Sequence, residues 1–148
     1  MTAFDVILEA VIAALERQPR ITAEILDEDI DVAAMAEVVT ECITVQLGDS
    51  DPDRAGILGA PIDWTSQLVV SCYARVDSRG ARGPGRASRQ LQARVYRRLM
   101  EDITLGGLVH DVLPPALSHN SDQLDTRVGS CVAIYPIRHR TSAGSLEA

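Results

Sequence analysis

Trp64-Thr65-Ser66-Gln67-Leu68-Val69-Val70-Ser71-Cys72-Tyr73-Ala74-Arg75-Val76 alternates, with Trp64, Leu68, Val70, Cys72 and Val76 on one side and Thr65, Gln67, Ser71 and Arg75 on the other. A period of two in residues that suit a pleated surface is the pattern of a half-buried strand. The chain then changes character. Asp77 to Arg86 is rich in glycine and arginine. Ala87 to Asp102 sets Leu91, Val95 and Leu99 four residues apart on one helical face, leaving Arg89, Arg94, Arg97 and Arg98 for the other. The centre of the protein therefore reads as strand, protruding basic arm and helix.

Before this centre, Phe4, Ile7, Leu8, Val11, Ile12 and Leu15 make a helical stripe, so Ala3 to Gln18 is expected as an amphipathic helix with Thr2 as its N-cap. Pro19 ends it. Ile21 to Ile25 alternates weakly, as an edge strand does, and Asp27, Glu28, Asp29 and Asp31 form an acidic bend. Ile43, Val45 and Leu47 alternate with Cys42, Thr44 and Gln46 in a strand that stops at Gly48.

After the centre, Gly106-Gly107 punctuates a break, and Pro114-Pro115 restricts Asp111 to Leu117 to an edge or extended segment. Ser118 to Asp125 reads as a polar turn. Thr126 to Arg140 alternates Cys131, Ala133, Tyr135 and Ile137 with Val128, Ser130, Val132 and Ile134. Apolar residues in both phases predict a central strand covered on both faces. The sum is an α+β domain over residues 1–141: an antiparallel or mixed sheet with two main helices packed on it, followed by a flexible tail at 142–148. Its core is expected to set Ile43, Val45, Leu68, Val70, Val132 and Ile134 against Leu8, Val11, Leu15, Leu91, Val95 and Leu99.

The 148 residues carry a net charge of −7 and suffice for one domain with its own core. No apolar run reaches the roughly 18–20 residues of a membrane span, and Asp5 and Glu9 interrupt the first apolar stretch, so no signal peptide or membrane partner is expected. Three widely spaced cysteines, Cys42, Cys72 and Cys131, fit buried reduced thiols and a cytoplasmic setting for folding. Every basic side chain is arginine. Eight lie between Arg75 and Arg98 against the single Asp77, so this window carries +7 and the remainder −14. Such polarity suits contact with a charged partner, a second copy included.

No pattern carries catalysis. His110, His119 and His139 have no zinc spacing, and the His110-Asp111 dyad lacks a nucleophile elbow. Gly80 to Arg86 precedes a helix but has no Lys-Ser/Thr pair for a phosphate loop. The loop from Asp49 lacks the glycine and the final glutamate of a calcium loop, having Arg54 and Ala60 there. No cofactor, metal or catalytic residue is therefore expected.

Ile57-Leu-Gly-Ala-Pro-Ile-Asp-Trp64 leads into Leu68-Val-Val-Ser-Cys-Tyr-Ala-Arg75. Then come Leu99-Met-Glu-Asp-Ile-Thr-Leu-Gly-Gly-Leu-Val109, Asp111-Val-Leu-Pro-Pro115 and a last strand ending Tyr135-Pro-Ile-Arg-His-Arg-Thr141. In this order of phrases the chain resembles the tail-terminator and minor tail proteins of long, non-contractile-tailed bacteriophages, prophages and gene-transfer particles. The resemblance covers Ile57 to Thr141.

It implies an α/β subunit that forms a homo-hexameric ring on the last ring of the tail tube. Such a ring stops tube growth and meets the head-side connector at the virion neck, after synthesis in the bacterial cytoplasm. Partners would be the chain itself, the tail tube protein and the connector, with DNA passing through the lumen without specific binding. A neck or tail-completion adaptor of the same particle is the alternative. A small cytoplasmic enzyme for an anionic ligand and a nucleic-acid-binding regulator stand further off. A ring requires two unlike, complementary patches. Arg79, Arg82, Arg86 and Arg89 are the candidates for one, and Asp27, Glu28, Asp29 and Asp31 for the other.

Overall fold

A computed structural model describes residues 1–22, 24–27, 40–53, 58–76, 83–119 and 128–148. Helix α1 spans Ala3–Glu16. A reciprocal cap starts it: Thr2 Oγ1 accepts from the Asp5 N–H, and Asp5 Oδ2 accepts from the Thr2 N–H. Asp5 thus does the work usually done by a longer acid at this position. These hydrogen bonds hold its carboxyl below the usual carboxylate range. Ala3, Ile7, Val11 and Leu15, four residues apart, form the buried stripe.

The sheet follows. Strand β1 (Glu24–Leu26) runs parallel to β2 (Glu41–Pro52), and β2 runs antiparallel to β3 (Ile62–Arg75) with a register irregularity between Leu47 and Ser50. Helix α2 spans Pro84–Met100. Two short strands, β4 (Asp111–Val112) and β5 (Ala116–Ser118), pair in turn with β6 (Val128–Thr141). Strand β6 also pairs with β3 along its full length, from Ile62↔Thr141 to Arg75↔Val128. The order is β1-β2-β3-β6-β4, with β5 on the same side of β6 as β4. Pro114-Pro115, which has no N–H to donate, separates the two edge strands.

Both helices share one buried cluster with a single sheet face. Ile7, Val11 and Leu15 of α1 and Leu91, Val95 and Leu99 of α2 meet Ile43, Val45, Leu68, Val70, Ala133, Tyr135 and Ile137. Val132 and Ile134 do not belong to it. Period two puts them with Val69 on the opposite face, where all three are only half-buried. Among the described residues neither helix packs on that face, yet Cys42, Thr44, Ser71 and Val128 on it are buried, and Cys42 and Val128 form a second cluster with Leu26 and Tyr73, so the start of β6 is covered on both faces as its apolar residues in both phases predict. Leu8 packs at the margin of the core, and Ile7 takes the buried place.

Helix α2 begins at Pro84, three residues earlier than periodicity indicates, because proline at the first helical position lacks only an N–H with no partner to find. Arg86, expected in the arm, is therefore helical. The start of α2 lies hard against β6: a Cβ on Gly129 would stand 2.3 Å from the Pro84 carbonyl, so only glycine fits there. Residues 142–148 return to α1, with the Ala3 N–H donating to Leu146 O at 2.8 Å and the terminal ammonium meeting Glu147.

Candidate functional site

The expected basic and acidic patches are placed in part. Arg86 and Arg89 are exposed on the first turns of α2, and Asp27 is exposed just beyond β1. Arg79, Arg82, Glu28, Asp29 and Asp31 lie outside the described residues. The structure also divides the arginine window by role. Arg94 pairs with Glu41 and donates to Ile21 O, and Arg98 is buried against the end of α1. Arg86, Arg89 and Arg97 face solvent and make no ion pair among the described residues.

Beside Arg89 a groove of about 390 Å³ opens between α2 and β5, walled by Ala93, Tyr96, Pro115 and Leu117. Its position follows from the sheet. Strand β5 is the edge, Leu117 stands opposite Ala133, and the helix-side face continues past the rim of α2. Gln92 lies at the base, its Nε2 donating to the Val70 and Cys131 carbonyls at 2.9 and 3.3 Å. Its Oε1 is buried and has no donor among the described residues. Such an acceptor is costly unless something reaches it.

Cys131 Sγ lies 3.7 Å from His119 Nδ1 at one end of this groove. Thiol beside imidazole is the pairing of a nucleophile and its base, yet Cys131 is only 1% exposed and burial pushes its thiol up. A reactive cysteine has the opposite shift. Cys42 and Cys72 are likewise buried, free and shifted up by burial.

A second polar cluster sits beneath the start of α1. His139 Nε2 is 2.8 Å from Ser66 Oγ, which is 2.7 Å from Ser50 Oγ. Phe4 stands edge-on to both His139 and Trp64, and Trp64 Nε1 donates to Thr141 Oγ1. His139 is 1% exposed and Ser66 fully buried, so the pair is packed as core. Inward phase along β6, shared with Tyr135 and Ile137, is the sequence signal for this placement.

Burial, and to a smaller extent repulsion from His110, holds the His139 imidazole below its ordinary value. The folded protein keeps the ring neutral at a pH where the unfolded chain already binds a proton. Stability is accordingly expected to fall as pH drops below about 6.5, down to the lowered folded value. Urea midpoints from about pH 7.5 to 5 should show this slope, and His139→Gln should flatten it. His110 instead lies at the surface 3.5 Å from Asp63, which Arg140 also holds, while Asp111 pairs with Arg138. These arginines keep the Asp63 and Asp111 carboxyls below the usual range.

No family model and no curated protein sequence matches this chain.

Proposed function

We propose that this chain is a structural ring-forming subunit, a tail terminator that caps the head-proximal end of a phage tail tube and joins it to the connector. The observation that carries the reading is that, among the described residues, the sheet ends in two unlike edges. On one side β1 is a three-residue strand held in parallel; on the other, β4 and β5 are an interrupted antiparallel edge beside an apolar groove. Unlike surfaces on one subunit favour head-to-tail contacts, and these close into rings when the rotation allows. Exposed Arg86, Arg89 and Arg97 on α2 add a charged surface to an acidic molecule, which favours steered encounter with a second copy.

The resemblance between Ile57 and Thr141 supplies the particle and the neck position. Light scattering across a concentration series is expected to show a hexamer, alone or on addition of tube ends. Electron microscopy of assembled particles is expected to place a ring at the neck. A chain that stays monomeric with tubes present, and particles without this ring, would remove the reading. A ring located beyond the tube end, on the connector side alone, would identify a neck adaptor instead.

A further inference from the structure

We infer that the end of the β2–β3 hairpin of one copy seats in the groove between α2 and β5 of the next, with Leu58 as the inserted side chain; this rests on the ring reading and names its contact. Leu58 is fully exposed at a turn that Gly59 closes with φ +84°. A leucine held entirely in water on a turn beyond a paired hairpin is an apolar knob that packs on no core cluster among the described residues. The groove is its counterpart, lined by Ala93, Tyr96, Pro115 and Leu117, with Tyr96 and Leu117 themselves exposed.

Charge identifies the occupant as a second copy. The hairpin end carries Asp49, Asp51 and Asp53, exposed and without an ion pair among the described residues, against the single Arg54 of its sequence, a net charge of −2. The groove is bordered by Arg89, with Arg86 one helical turn earlier, both exposed and likewise without an ion pair there. Acidic end and basic border complement each other, and their pairing would add register to the apolar insertion.

The hairpin cannot serve its own groove. It continues past Ile62↔Thr141, whereas the groove lies beside Ala116↔Ile134. Seven residues of β6 separate the two pairings, roughly 23 Å at about 3.3 Å per residue. Two different patches, far apart on one subunit, make a head-to-tail contact.

Leu58→Cys and Leu117→Cys proteins, mixed under mild oxidation, test the contact. The expected result is a covalent dimer linking position 58 to position 117, identified by mass spectrometry of the digest. A protein carrying both substitutions should give a ladder. Leu58→Asp, at a fully exposed position, should fold as the parent does by circular dichroism yet associate at least tenfold more weakly. Oligomers that form normally with Leu58→Asp, and that show no link from position 58 to the groove, would overturn the contact and leave the ring reading standing. A chain that is monomeric at every concentration and on tube ends would overturn both. Normal rings with tail joining lost in Leu117→Asp would assign the groove to a different protein and also overturn the proposal.

Discussion

Replacing Arg98 with methionine is expected to lower stability by about 2–4 kcal/mol, a large share of what a domain of this size has. Arg98 is 7% exposed and donates to three carbonyls at the end of α1: Ala14 O at 2.8 Å and Arg17 O at 2.7 Å from one nitrogen, and Pro19 O at 2.6 Å from the other. The last carbonyls of a helix have no partner within it and carry partial negative charge, so a guanidinium there satisfies acceptors and opposes the helix dipole. Methionine keeps much of the aliphatic packing and removes the donors and the charge. Arg98→Lys retains the charge but not the planar fork, and should recover part of the loss. Urea unfolding followed by circular dichroism measures each. An unchanged midpoint for the methionine variant would mean that water replaces the guanidinium at no cost.

This arginine marks the boundary of what is readable in the chain. Periodicity assigns residues to faces reliably where strands pair in long register, so the alternation in Ile43 to Leu47, Leu68 to Cys72 and Cys131 to Ile137 locates the core. The core expected from sequence includes neither His139 nor Gln92, although a signal is there: His139 is in phase with Tyr135 and Ile137, and Gln92 lies three residues before Val95 on the buried face of α2. Role is another matter. Charge counting treats Arg94, Arg97 and Arg98 alike, whereas the folded chain leaves Arg97 exposed, pairs Arg94 at the surface and buries Arg98 under a helix end. That burial depends on α1 and α2 meeting, a contact between residues 84 apart in sequence.

The groove was hidden for a related reason. Tyr96, Leu117 and Cys131 come from three elements, and only the pairing of β5 on the edge of β6 brings them together. Gly129 is similar: its local strand pattern allows any small residue, and only the approach of Pro84 demands the absence of a Cβ.

Truncating Leu91 or Leu99 to alanine is expected to cost about 2–5 kcal/mol each, the range for cavities left in a core that relaxes incompletely. Both side chains are essentially fully buried, Leu91 at 0% and Leu99 at 1% exposure, within the cluster that joins both helices to β2, β3 and β6. The value should lie toward the upper end, because the sheet surface opposite α2 is pinned by the long β3–β6 register and cannot follow the helix inward. Val132→Ala on the other face provides the internal contrast: a half-buried side chain outside the helix-side core should cost less than either leucine. Leu117→Ala, on the exposed groove wall, should change the monomer's stability by under about 0.5 kcal/mol. Thermal and urea unfolding of the four variants separate the cases. Equal losses at Leu99 and Val132 would show that the two faces of the sheet are equally packed, contrary to placing both helices on one of them.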